Sequence, residues 1–325
     1  MKNLSEKTLI TYQAVINGLL RDADIEDDED GKWIVKHWEK LMQVISVSKS
    51  IHTKKNRYAV LKIWCEMYDL PEKYSNQLQE KIDNLVEEVN NQYFTNMKSE
   101  KIEKNWVSVP ELKATVEALK SKVLPAEAID TYNEFRSLIK YLVLLIHVSM
   151  PLRNDLACAK IFLTSKRTNG SPLTSPLNVV PFKKGLEGNA VPFNEIIINK
   201  SKKTAKLILN DYKTAGTYGQ KVLDFPPDIA KEIIKWYPVI IRMSPKAWLI
   251  PDREDPEKCI SRVTYTKLFN SIFSDTGKKV STTQIRRTIV SDVVKPEPNE
   301  TKKRAELANV MGHSIDTQNK YAKAD

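Results

Sequence analysis

Apolar residues recur at helical spacing through the first hundred positions. Ser5 can cap a helix whose apolar residues fall three and four apart, at Tyr12, Val15, Ile16, Leu19 and Leu20. Residues 33–47 repeat the pattern through Trp33, Val35, Trp38, Leu41, Met42 and Ile45. A third helix opens within 48–57 and turns apolar later, at Tyr58, Leu61, Ile63, Trp64 and Met67. Pro71 starts a long fourth helix that runs to Asn90 or beyond. The acidic stretch 22–30 resembles a calcium loop only superficially. Glu26 stands where the first Asp is needed and His37 where the closing bidentate Glu is needed, so it reads as a solvated loop.

The pattern then changes. Residues 96–106 are charged and poor in core residues, which predicts a helical domain over 1–95, a linker over 96–106 and a second domain over 107–325. Ser108-Val109-Pro110-Glu111 has the form of a capping box with Pro in the first turn. Residues 131–148 form a strongly apolar helix through Phe135, Leu138, Ile139, Leu142, Leu145 and Ile146. Strand patterns follow at 195–199, at 205–212, and at 220–225 after a turn at 215–219, which puts Lys213 at a hairpin tip. Helices resume over 229–241, 264–274, from 281 onward, and over 303–311, where Gly312 stops the last one. In the helix from 281, Ile285, Ile289 and Val293 repeat every four and define a core face. Arg286 then lies about 100° from that face and Arg287 about 200°, pointing outward. The expected fold class is mainly α with a small antiparallel β-sheet (α+β).

Composition narrows the partner. The net charge is +10 and the pI near 9.2, which favours an anionic partner, nucleic acid being the commonest for a basic globular chain. The most apolar run, 141–148, is too short to span a bilayer and is bracketed by Lys140 and Arg153, so no membrane is expected. No cleavable signal pattern opens the chain. Cys65, Cys158 and Cys259 are odd in number and far apart, with no disulfide framework, which points to an intracellular, reducing compartment. His37, His52, His147 and His313 show no metal-ligand spacing, so no metal is expected.

The candidate chemistry is anion handling. Lys49, His52, Lys54, Lys55 and Arg57 crowd the start of the third helix, where backbone N–H groups and cations suit phosphates; an ordinary solvated face would look the same. Arg153 directly follows the apolar helix, between the anchors Leu152 and Leu156. It could offer a rigid fork to a phosphate or satisfy carbonyls at a helix end. Lys213 on its own is more simply an edge-guarding lysine. His313 falls in a turn after Gly312, and Tyr321 on a short helix beyond, so an imidazole and a phenol can face one cavity.

Gly312-His313-Ser314 followed by Tyr321 resembles the end of the tyrosine recombinase (phage-integrase) family. The resemblance implies an Arg, a Lys and a second Arg upstream, in that order, and Arg153, Lys213 and Arg286 stand there. Arg153 sits in Pro-Leu-Arg-Asn-Asp-Leu where the family has Gly-Leu-Arg-x-x-Glu-Leu, with the acid one residue closer. That wording looks more like recombinases of eukaryotic mobile elements and large DNA viruses than bacterial ones. Arg286 matches the last residue of His-x-Leu-Arg, with Ile285 for Leu. Thr283 takes the place of the His, where a hydroxyl can neither be charged nor buffer a proton; Gln284 or Lys213 could compensate.

What the resemblance implies is a DNA recombinase or integrase that cleaves and rejoins strands through a covalent 3′-phosphotyrosine. Tyr321 would be the nucleophile, Arg153, Arg286 and His313 would stabilise the phosphoryl group, and Lys213 would protonate the leaving oxygen. Arg287 would join the first domain's cations on DNA. No cofactor or metal is implied. The partner would be double-stranded DNA, with four protomers on it, in the nucleus or virus factory, or at the nucleoid if the chain is bacterial. Only Ala322 to Asp325 follow Tyr321, where many relatives carry a further docking helix. A type IB topoisomerase shares the nucleophile but typically has Ser-Lys-x-x-x-Tyr before it. A DNA binder with a decayed site would explain Thr283, against which stands the joint retention of Arg153, Arg286 and Tyr321.

Overall fold

The computed structural model describes residues 6–26, 31–94, 98–164, 193–294, 301–312, 317–318 and 321–322. The chain divides into two units, Met1–Asn96 and Met97–Asp325. The first comprises α1 (Glu6–Ala23), α2 (Lys32–Lys36), α3 (Trp38–Ser46), α4 (Ile51–Met67) and α5 (Glu72–Phe94). Ile16, Leu19, Trp33, Ile34, Leu41, Ile45 and Leu61 close its core. Each such aliphatic side chain contributes about 1.5–3 kcal/mol by leaving water. The helix expected over 33–47 breaks at His37, whose φ of −113° and ψ of 22° leave the helical region. The break lets Trp33 and Ile34 as well as Leu41 and Ile45 reach one core. Gly31, before α2, has φ +71°, and a Cβ there would lie 2.3 Å from the Tyr68 ring, so only glycine fits this entry.

The second unit opens with α6 (Glu100–Lys104) and α7 (Val109–Ser121). The stretch expected as a linker is therefore partly helical and is fastened to this unit. Asn105 Oδ1 accepts from the Lys279 backbone N–H at 2.6 Å, and Val107 O from Thr288 Oγ1 at 2.9 Å. Ser108 and Glu111 form the capping box of α7. The central column is α8 (Tyr132–Ser149), capped the same way by Thr131 and Glu134. It buries Phe135, Leu138, Ile139 and an almost unbroken run from Tyr141 to His147.

The sheet runs in the order β1 (Ala159–Leu163), β2 (Asn194–Asn199), β3 (Thr204–Leu209), β4 (Lys221–Asp224). It is antiparallel over β2–β4, with Ile196 opposite Leu207 and Leu207 opposite Leu223. The small sheet on a mainly helical body is as expected, but β1 adds to it in parallel, Ala159 opposite Asn194. A parallel neighbour needs a long crossover, so no local turn signal announces it. The connection between β3 and β4 is not a tight hairpin. It spans 210–220 and includes the one-turn helix α9 (Ala215–Tyr218), so Lys213 lies in an ordered loop before α9 rather than at a tip. The remaining helices are α10 (Pro227–Met243), α11 (Arg262–Ile272), α12 (Thr282–Val294) and α13 (Thr301–Met311).

The expectation that the cysteines stay unpaired is also overturned. Cys158, entering β1, and Cys259, before α11, form a disulfide with Cα atoms 5.2 Å apart; only Cys65 is free, and it is buried. At a sequence separation of 101, the partners give no spacing signal, and it is the fold that brings them together. Among the described residues no helix is long and apolar enough to cross a membrane, and no group of His, Cys, Asp or Glu is arranged to hold a metal ion.

Candidate active site

The site is built where α8, α12 and the segment after α13 converge. α8 ends at Met150, whose φ of −133° and ψ of 92° turn the chain out of the helix. Pro151 and Leu152 are buried, and Leu152 N–H donates back to Met150 O at 2.7 Å. Arg153 follows, half-buried, at the head of a 3-10 turn, Asn154–Leu156. Asp155 is 8% exposed, and its Oδ2 accepts the Arg153 backbone N–H at 3.1 Å. Burial lifts the Asp155 carboxyl above its usual range against the pull of that N–H and of Arg262, Arg153 and Arg286. The Arg153 side chain reaches instead to Tyr321.

Arg286 on α12 also lies beside Tyr321. The sequence pattern put its core face at Ile285, Ile289 and Val293, with Arg286 along the wall. Instead Ile289 and Val293 are only half-buried, while Gln284, Ile285, Arg286, Thr288, Val290 and Ser291 are buried. Polar side chains tolerate this because backbone carbonyls meet them. Arg286 Nη1 donates to Pro151 O at 2.7 Å and Nη2 to Met311 O at 3.3 Å. The guanidinium, 1% exposed, thus ties Pro151, two residues before Arg153, to the end of α13. Burial brings its pKa down to about 10, which leaves it charged at neutral pH.

Tyr321 completes the group. Gln318, fully buried, donates through Nε2 to Arg304 O on α13 at 3.2 Å. The Tyr321 backbone N–H bonds Gln318 O at 2.9 Å, and Ala322 packs with Val290 and Met311. The phenol so held is within reach of both guanidiniums: Arg153 Nη2 donates to Tyr321 Oη at 3.4 Å, and Arg286 Cζ lies 5.1 Å from the ring centroid. Burial alone would raise the phenol's pKa, but Arg286 and Arg153 more than offset it and hold it below the ordinary 10.0.

The other expected residues fall as follows. Lys213 is exposed, in a loop fixed on several sides: Thr214 Oγ1 donates to Gly312 O at 3.1 Å, and Arg262 Nη2 to Asp211 Oδ2 at 2.9 Å. His313 lies outside the described residues. Thr283 is exposed, whereas its neighbour Thr282 is buried and donates to Asn154 Oδ1 at 2.7 Å. Arg287 is half-buried. In the first unit Lys49 and His52 are exposed, Lys54 and Lys55 half-buried, and Arg57 is engaged internally by Asp22 and by Ser48 Oγ at 3.2 Å. A guanidinium so occupied offers less to a phosphate than the sequence suggests. Sequence reading passed over Thr282, His147 and Asn194, because a Thr beside a Thr, a His in an apolar helix and an Asn opening a strand carry no pattern.

No family model and no curated protein matches the chain. Among solved structures the chain is similar to a XerA recombinase, at 13% identity and a TM-score of 0.42, covering 100% of this chain and 89% of that one. It is also similar to a XerH site-specific recombinase bound to its difH substrate in a pre-cleavage complex, at 10% identity and a TM-score of 0.42, covering 96% and 86%.

Proposed function

We propose that the chain cleaves and rejoins DNA as a tyrosine recombinase. The observation that carries the reading is the placement of the Tyr321 hydroxyl between two guanidiniums of its own chain, 3.4 Å from Arg153 Nη2 and beside Arg286. A phosphodiester is anionic and resists attack. Two fixed guanidiniums neutralise its non-bridging oxygens and the further charge of the pentacovalent state. The same cations favour the phenolate, so nucleophile and anion hole are prepared together. The Tyr321 Oη–P bond forms as the P–O5′ bond breaks. The phenolic proton leaves to solvent and the 5′ oxygen takes one from Lys213, giving a 3′-phosphotyrosine and a 5′-hydroxyl. The phosphotyrosine keeps the energy of the ester, so the 5′-hydroxyl of another strand reverses the step. The net charge of +10 and the cations at the start of α4 suit a duplex partner. Assembly of four protomers on DNA belongs to the same reading.

The test is a panel of nicked duplexes whose cleaved fragment diffuses away and traps the covalent product. Wild type should give a protein–DNA adduct on a denaturing gel, Tyr321→Phe none, and joining to a second duplex separates a recombinase from a topoisomerase. Binding with no adduct on any substrate would leave a DNA-binding protein in its place.

A further inference from the structure

Asn194 opens β2, opposite Ala159 of β1, and is 2% exposed. Its amide is spent on two loops. Nδ2 donates to Asp155 O at 2.6 Å and to Asp211 O at 3.0 Å. Oδ1 accepts the backbone N–H groups of Asn210 at 2.8 Å and Asp211 at 2.9 Å. Both lone pairs and both protons are therefore used, all four on main-chain groups. One partner belongs to the turn that carries Arg153, and three belong to the loop that carries Lys213, three and two residues before the lysine. A carboxylate could not make the two donations, an alanine none of the four, and a glutamine would overreach. The loop is also held by Thr214 Oγ1 on Gly312 O and Asn210 Nδ2 on Phe193 O, but neither bond reaches the Arg153 turn. Its pair with α11, Arg262 to Asp211, has 45% and 48% of its side chains in water, and such pairs hold loosely.

We infer that Asn194 is a positioning residue for proton delivery: it locks the Lys213 loop to the Arg153 turn, so that an exposed lysine arrives at a fixed place relative to the phosphate. This rests on the proposed strand cleavage, with Lys213 as the acid. Leaving-group chemistry tests it. An alkoxide needs a proton as it departs. A thiolate does not, because a thiol has a pKa near 8.5, about seven units below water's ~15.7. In a duplex whose bridging 5′ oxygen at the scissile position is replaced by sulfur, the P–S bond breaks and the thiolate leaves unaided.

The experiment compares single-turnover cleavage of oxygen and sulfur substrates by full-length wild type, Lys213→Ala, Asn194→Ser and Asn194→Asp, with each variant's fold checked by its thermal transition. The expected result is that Asn194→Ser and Asn194→Asp lose about 10- to 100-fold on the oxygen substrate, up to the ~10²-fold cost of a misplaced group and short of the ~10²–10⁴-fold of an acid removed. Both should run within a few-fold of wild type on sulfur, as should Lys213→Ala. Equal losses on both substrates would make Asn194 a general support of the site and overturn the inference, while the cleavage reading stands. Variants that fail to fold, with no selective loss in the milder Asn194→Ser, overturn it equally. If wild type cleaves neither substrate, the cleavage reading itself fails and takes the inference with it.

Discussion

Thr282 Oγ1 donates to Asn154 Oδ1 at 2.7 Å, joining the first turn of the helix that carries Arg286 to the turn that carries Arg153. The same asparagine uses its Nδ2 on Arg262 O at 3.2 Å and Thr266 Oγ1 at 3.1 Å, so α11 and α12 grip one residue of the Arg153 turn. The spacing of the two arginines is therefore set by side chains that touch no phosphate. Thr282→Val keeps the shape and removes the donor. It should cost about 0.5–1.5 kcal/mol, the usual net worth of one hydrogen bond, because the half-buried Asn154 can turn to water. Urea unfolding of the two proteins measures this; a midpoint unchanged within error would show that the bond is not part of the site's frame.

The phenol titration gives a second expectation. Tyr321 is held below the ordinary 10.0 because Arg286 and Arg153 outweigh burial. Cleavage by wild type should rise with pH and level off at the phenol's own pKa, below 10. In Arg153→Ala burial stays and one cation goes, so the inflection should move up. The ultraviolet absorbance of phenolate, taken as the difference between each protein and its Tyr321→Phe counterpart, follows the group directly. An inflection at the same pH in both would mean that Arg153 does not reach the hydroxyl in solution.

His147 makes stability depend on acid. The ring is 0% exposed, bonded through Nε2 to Tyr265 Oη at 2.8 Å, and burial with the Arg286 charge lowers its pKa from 6.5 to about 3. The unfolded chain binds the proton below 6.5 and the folded chain does not until about 3. Stability is therefore full above 6.5 and falls as pH is lowered towards 3, with a slope on the order of 1 kcal/mol per pH unit from this group. His147→Gln should flatten the slope between pH 6.5 and 5 in denaturant melts. Parallel slopes for the two proteins would place the acid sensitivity elsewhere.

The disulfide predicts a thiol count. Denatured without reductant, the chain should show a single reactive thiol, Cys65, and three after reduction. Closing so long a loop restricts the unfolded chain, and replacing Cys158 and Cys259 by serine should cost about 2–4 kcal/mol. Three thiols before reduction would mean the two sulfurs sit close but unjoined.

What could be read from the sequence follows from how local each signal is. α7 announces itself through Ser108–Glu111, because a capping box is complete within four residues, and α8 through its apolar repeat from Phe135 to Ile146. β1 does not, since Ala159–Leu163 finds its partner beyond residue 193 and in parallel. The burial of α12 was misjudged for a related reason: Thr288 and Arg286 go inward to meet Val107 O and Pro151 O, carbonyls far away in the chain. Arg153, Arg286 and Tyr321 could be placed as candidates by their order along the chain. Their meeting at one hydroxyl, and the part played by Asn194, exist only once distant turns are brought together.

Arg286 has two occupations. Its donors close carbonyls from two separate segments in the interior, and the same guanidinium lies beside Tyr321. Tyr321 is only partly buried and sits at the edge of a small cluster. If the chemistry ceased to matter to a lineage, substitution of the tyrosine would leave the fold standing, whereas substitution of Arg286 would strand two interior carbonyls. Inheritance would thus preserve the arginine for its masonry long after its charge had lost its customer. In any descendant of this chain, the identity of residue 321 is the informative letter about activity, and an intact Arg286 testifies mainly that the protein still folds.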